Sequence, residues 1–257
     1  MNAVLARRNP VAKLAAGLLL TLALFATLDP VAPAVALAVE VAVLPLFGLR
    51  PSDLVRRGWP LLVAVGGILV SLLLFGVDRS GSVLLSAGPL VVTTGKLYGA
   101  LGLSLRLIAV SLPGIMIFAT TDPTDLADAL IQQLRAPARF AIGALAAFRL
   151  VPLLGSEWRL LRLARRARGI EAGRNPFAAL RLGVSTVFAL LVGAIRRGTR
   201  LATAMDARGF DSGVRRTSAR VQHFGLADGA LIAGGLLAGA LALGASLWAG
   251  TFNPLLF

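Results

Sequence analysis

Cysteine is absent from this chain, which excludes a disulfide, a thiolate nucleophile and any cysteine-held metal or iron–sulfur centre. Histidine occurs once, at His223, so a Ser-His-Asp site or a multi-histidine metal site would have to be built around that single residue. Asparagine, glutamine and lysine are scarce, and charged residues make up 15% of the chain against 57% hydrophobic. That balance is too apolar for an ordinary soluble domain and marks an integral membrane protein. The formal net charge of +14 would suggest a nucleic-acid surface in a soluble chain. Here 17 of the basic residues, all arginine, and 7 of the acidic ones lie between Asp122 and Arg220, so that segment alone carries +10. The charge therefore marks a cytosolic face, and no nucleic-acid partner is expected.

In chain order, a basic lead with Arg7, Arg8, Asn9, Pro10 and Lys13 precedes an apolar run ending at Leu28. Apolar segments continue at once, so a first membrane helix with its amino end inside is expected over 11–28, rather than a cleaved signal. Asp29 and Pro30 make a turn, and 31–48 is a second apolar segment containing Glu40. A carboxylate inside a span is either a functional group or part of a polar seam. Arg50, Arg56 and Arg57 form a basic loop placed in the cytosol. The cleanest span is 59–77, followed by a Gly- and Ser-rich outer loop from Asp78 to Gly95. The next is 97–119, whose Arg106 must face protein; the last span, 229–250, is free of charge and ends with Trp248 near the outer interface. Thr121 to Asp128 holds three aspartates, for which helix physics has a simple use: Asp122 as N-cap, Pro123 at the first helical position, Asp125 near the positive helix end.

Two apolar segments, 139–154 and 177–195, carry Arg149 with Pro152 and Arg181 respectively, and form a tilted hairpin rather than simple spans. Each runs into a basic helix. In the first, Arg159, Arg162 and Arg166 share one face and Leu160, Leu163, Ala164 and Ala167 another. In the second, Arg196, Arg197 and Arg200 are polar, and Ile195, Gly198, Ala202 and Met205 form a stripe of mostly small residues suited to crossing another helix. Both basic helices close on the same tripeptide: Ala167, Arg168, Gly169, and then Ala207, Arg208, Gly209, followed by Phe210. Glycine ends a helix in the left-handed conformation, and an arginine beside it complements the helix dipole. A guanidinium at such a tip is also placed to pair with carboxylates on a partner protein.

Taken together, these residues resemble the transmembrane T component of energy-coupling factor transporters, the family that includes the cobalt- and biotin-transport membrane proteins. Asn9, Pro10 and Lys13 are similar to its amino-terminal signature. Thr121, Asp122, Pro123, Leu126 and Leu130 resemble its first coupling helix, followed by Pro137, Arg139, Arg149, Pro152 and Glu157. Arg165 with Ala167, Arg168 and Gly169, and Ala204, Met205, Ala207, Arg208, Gly209 and Phe210, resemble the two coupling-helix ends; Arg216 and Thr217 fit the tail of the pattern. The resemblance implies an all-α membrane bundle with crossed cytosolic coupling helices: spans in 1–120, a coupling domain over 121–220 with coupling helices near 122–135, 156–170 and 195–209, and a carboxyl-terminal span in 221–257. It implies a bacterial cell-membrane scaffold without catalysis or cofactor of its own, partnered by two ABC-type ATPases that bind the ATP and by a membrane substrate-binding subunit that takes a vitamin or a metal ion. Arg168 and Arg208 would contact the ATPases, with the flanking Ala and Gly residues permitting close approach. The rival class is an integral membrane enzyme acting on a phosphorylated or lipid-linked substrate, and a third reading is a scaffold whose basic face binds anionic lipid.

Overall fold

A computed structural model describes residues 5–76, 80–87, 90–173, 175–210, 212, 217–218, 220–254. Arg216, Val77 and Asp78 lie outside the described residues. The chain divides into two compact units, residues 1–133 with 222–257, and residues 134–221.

The first unit holds α1 (Pro10–Leu24), α2 (Val31–Val43) running into a 3-10 turn (Leu44–Phe47), α3 (Pro51–Phe75), α4 (Thr94–Thr120), α5 (Pro123–Gln133) and α8 (Leu226–Trp248). Local chemistry sets their starts. Asn9 caps α1 by accepting from the Val11 amide at 2.9 Å with Pro10 at the first helical position, and Thr93 caps α4 by accepting from the Lys96 amide. The expected outer loop contains a two-stranded antiparallel hairpin, β1 (Val83–Ala87) against β2 (Leu90–Thr93).

The first expected span, 11–28, is shorter than predicted, whereas α2 with its 3-10 turn covers 31–47, the expected segment to within one residue. α1 has 15 residues, about 22 Å at the α-helical rise, against the roughly 30 Å of hydrocarbon. A buried polar knot stops α1 early: Thr27 donates to the Asp29 carboxylate at 2.8 Å, and the same carboxylate accepts from the Ala32 amide and from the Thr251 hydroxyl. Among the described residues, five helices are long and apolar enough to cross a membrane: α3, α4, α8 and the two helices of the second unit.

α8 packs on α1 at very short range. A β-carbon on Gly235 would stand 2.5 Å from the Ala16 carbonyl oxygen, and one on Gly239 would stand 2.7 Å from the Ala23 β-carbon. The two glycines are four residues apart, so they share a face and let the backbones meet. Leu20, Leu24, Ala32, Ala36, Ala109, Ala238 and Ala242 form the core around this contact.

The second unit is two long helices, α6 (Ala138–Ala167, 30 residues) and α7 (Pro176–Ala207, 32 residues). The apolar segment 139–154 and the basic helix after it are one continuous helix, as are 177–195 and the basic stretch beyond. Alanine, leucine and arginine are all strong helix formers, so the change from apolar to basic changes the face and not the backbone. Asn175 caps α7 by accepting from the amides of Phe177 and Ala178.

Candidate functional site: two basic helix tips

At the end of α6, Arg168 leaves helical geometry at φ −92°, ψ 9° and Gly169 takes φ +71°. The Gly169 amide donates to the Arg166 carbonyl and the Ile170 amide to the Arg165 carbonyl, both at 2.9 Å. At the end of α7, Arg208 stands at φ −91°, ψ 10° and Gly209 at φ +71°. There the Gly209 amide donates to the Asp206 carbonyl at 2.9 Å and the Phe210 amide to the Met205 carbonyl at 3.0 Å. Each is a Schellman closure, so the tripeptide repeat in the sequence is a repeat of conformation. Met205 and Phe210, both half-buried, hold the two positions whose side chains commonly meet in this motif. A β-carbon on Gly169 would meet nothing within 4 Å, so the backbone angle, not space, selects glycine.

Ala167, Arg168, Gly169, Ala207, Arg208 and Gly209 are all exposed. Neighbouring arginines behave differently. Arg165 donates to the Leu182 carbonyl at 2.9 Å, to Thr186 at 2.6 Å and to Ser185 at 2.9 Å. Arg166 pairs with Glu171 at 3.2 Å, and Arg197 pairs with Glu157. Among the described residues, the guanidiniums of Arg168 and Arg208 have no side-chain hydrogen bond or ion pair.

The contacts of Glu157 with Arg197, and of Arg165 with 182–186, run in opposite directions along the two helices, so α6 and α7 meet antiparallel. The two tips therefore point to opposite ends of the pair. From the Arg165 contact at Thr186, α7 continues for about 30 Å to its own tip at the α-helical rise. The stripe of Ile195, Gly198, Ala202 and Met205 does not make the crossing: Ile195 is 58% exposed and a β-carbon on Gly198 would touch nothing. Polar groups, Glu157 and Arg165, make it instead.

Asp122 and Pro123 open α5, where the Asp122 carboxylate accepts from the Thr124 amide and its carbonyl accepts from the Leu126 amide. α5 lies in the first unit. The residues of the amino-terminal signature tie that unit together. The Asn9 amide donates to Asp228 at 3.0 Å, its side chain donates to the His223 carbonyl, and Lys13 donates to the carbonyls of Ala6 and Thr120. Glu40 is buried beside a cavity of about 450 Å³ among α1, α2, α4 and α8, and its carboxylate has no partner among the described residues. Arg106 is buried in α4. Sequence reasoning missed the glycine pair of α8 and the Asn9–Asp228 tie; only the four-residue glycine spacing was there to be noticed.

Long apolar helices and two exposed basic helix ends of one design define a multi-pass α-helical membrane protein. The family described as CbiQ, cobalt transport protein, matches residues 1–219, and the chain belongs to that family. It is 28% identical over 194 residues to energy-coupling factor transporter transmembrane protein EcfT 1 of Listeria monocytogenes, covering 72% of each chain. It is also 28% identical over 246 residues to the EcfT protein of Bacillus selenitireducens, covering 90% of this chain and 89% of that one. A third relative is a putative ABC transporter ATP-binding protein of Bifidobacterium longum, 28% identical over 227 residues, which are 85% of this chain and 29% of that longer protein.

Proposed function

We propose that this chain is the membrane scaffold of an energy-coupling factor importer, with Arg168 and Arg208 as the docking points for two cytosolic ABC-type ATPases. The carrying observation is the pair of exposed tips with one backbone conformation and two guanidiniums without a partner among the described residues. A planar guanidinium at the end of a rigid helix matches a carboxylate in a groove, and the small residues on either side let the partner surface come close. ATP is bound and hydrolysed by the partners; the chain passes their motion through α6 and α7 to a substrate-binding membrane subunit, which takes up a vitamin or a metal ion. The relative that carries a similar segment within a longer ATP-binding protein supports the pairing with an ATPase.

The distribution of charge supports a place for α6 and α7 along the inner membrane surface. Arg165, in the basic half of α6, sits against Leu182 and Thr186, in the apolar half of α7. Standing upright in hydrocarbon, the apolar half of α7 would carry Arg165 of α6 in with it, at a cost of about 3 kcal/mol or more for an arginine at the centre. The scaffold sits in the bacterial cell membrane with its amino end in the cytosol, on the side of Arg7, Arg8, Arg50, Arg56 and Arg57.

The test is co-purification of a tagged chain from mild detergent, wild type against Arg168→Glu, Arg208→Glu. Two nucleotide-binding subunits and a small membrane protein are expected with wild type, and loss of the ATPases with the double variant. Arg196→Glu, Arg200→Glu reverses equal charge on the exposed face of α7 and should retain them; if it loses them equally, the tips have no special role.

A further inference from the structure

We propose that the hollow between the end of α6 and the start of α7 binds the phosphate of an anionic phospholipid. The hollow is about 380 Å³ and is walled by Trp158, Arg162, Arg165 and Arg166 of α6, by Leu182 and Thr186 of α7, and by the loop that joins them. Arg165 and Arg166 lie three and four residues after Arg162, one turn on and on either side of it, so the three side chains leave the helix within one arc. Arg165 is pinned by three neutral oxygens, two hydroxyls and one carbonyl, which orient the guanidinium without neutralising it. Thr186 is buried and donates onward to the Leu182 carbonyl at 2.7 Å, which holds that oxygen toward the arginine. Arg166 shares its charge with Glu171, and Arg162 has no partner among the described residues. Three guanidiniums thus face one carboxylate, leaving a surplus of two positive charges in a recess.

Arginine suits phosphate because its planar donors engage two oxygens at once. The other walls suit a lipid rather than a soluble phosphate: Trp158, Leu182 and Ile170 give the recess an apolar side, and tryptophan beside basic residues is the composition of a membrane interface. The inference rests on the placement of α6 and α7 at the inner membrane surface. Its occupant would fasten the α6 end of the pair to the bilayer while leaving the Arg168 tip free.

The experiment uses the full chain purified from mixed phosphatidylglycerol and phosphatidylcholine, with retained lipid counted by native mass spectrometry. Wild type is expected to retain phosphatidylglycerol in preference to phosphatidylcholine, and Arg162→Gln, Arg166→Gln to lose that preference by roughly thirtyfold, from about fivefold for each arginine near a membrane surface. Arg196→Gln, Arg200→Gln removes equal charge outside the hollow and should keep it; equal loss in both variants overturns the site. A second measurement needs no arginine variant. In a chain carrying Trp59→Phe and Trp248→Phe, brominated phosphatidylglycerol should quench Trp158 more than brominated phosphatidylcholine does, and equal quenching overturns the proposal. Displacement of the lipid by millimolar inorganic phosphate overturns a lipid source. Loss of ATPase capture in Arg162→Gln, Arg166→Gln would make the hollow a protein-docking surface and likewise overturn it. Lipid retention is read on the chain alone, so its failure is distinguishable from failure of ATPase docking at Arg168 and Arg208.

Discussion

Arginine is abundant in 134–221, and what separates one arginine from another is its partners. Arg165 and Arg197 hold the two long helices to each other, whereas Arg168 and Arg208 stand beyond the last turn with their charge unopposed by any described neighbour. Their positions depend on the residue that follows. At φ +71° a β-carbon crowds the following carbonyl, so Gly169→Ala or Gly209→Ala should cost about 1 kcal/mol and fray the last turn. In the intact importer this predicts weaker ATPase capture with the arginine still present. Capture unchanged by Gly169→Ala, Gly209→Ala would mean that the tip geometry is not what the partner reads. The tripeptide itself was legible in the sequence, including the helix-ending role of its glycine, because a left-handed residue leaves a residue-type signature. The partners of Arg165 and Glu157 were not, since a contact between residues 40 positions apart, such as Glu157 with Arg197, leaves no periodic trace.

At the scale of the element, apolar runs identified α4 and α8 closely, and the Asp122–Pro123 pair marked the start of α5; α3 begins at Pro51, eight residues before the expected span, and takes Arg56 and Arg57 into the helix where a basic loop was expected. Hydropathy failed where tertiary contacts set the limits. α1 is cut short by the Asp29 knot, and the hairpin of Val83–Ala87 with Leu90–Thr93 lies in a stretch whose glycines and serines suggest a loop. Composition also says nothing of which apolar face meets which. For α8 that face is defined by Gly235 and Gly239, whose missing side chains admit the backbone of α1. The obstacle at Gly235 is Ala16 carbonyl oxygen, α-carbon and carbonyl carbon, all backbone, so no rotamer change relieves it. Gly235→Leu should therefore push the helices apart and destabilise the first unit by about 1–3 kcal/mol. Gly244→Leu adds the same apolar surface at an exposed position with open space around it and should be nearly neutral. Thermal denaturation of the two variants in one detergent compares them directly; equal midpoints would remove the close contact as a stabilising feature.

The whole molecule combines apolar helices fit for hydrocarbon with a helix pair whose length and mean composition also permit crossing. Composition alone does not separate the two cases: α6 and α7 satisfy the same criteria as α3 and α8. What separates them is stagger. In α6 the arginines follow the apolar stretch, in α7 they do so again, and the antiparallel pairing lays the basic end of α6 against the apolar half of α7 and sets Glu157 against Arg197. A pair built this way carries the charge of Arg165 into the apolar half of α7, whereas α8 carries no charged residue from Gly229 to Gly250. The absence of cysteine makes the difference directly measurable, because single cysteines placed in the native chain report without background. Cysteines replacing Ser156 near the middle of α6 and Ser185 in the apolar half of α7 should both react with a membrane-impermeant maleimide added from the cytosolic side, and neither from outside. One replacing Ala240, midway along α8, should react from neither side. If Ser156→Cys and Ser185→Cys were both protected while Ala240→Cys stayed protected, α6 and α7 would be true spans, and the arginines between them would need an aqueous lining that a surface-lying pair does not.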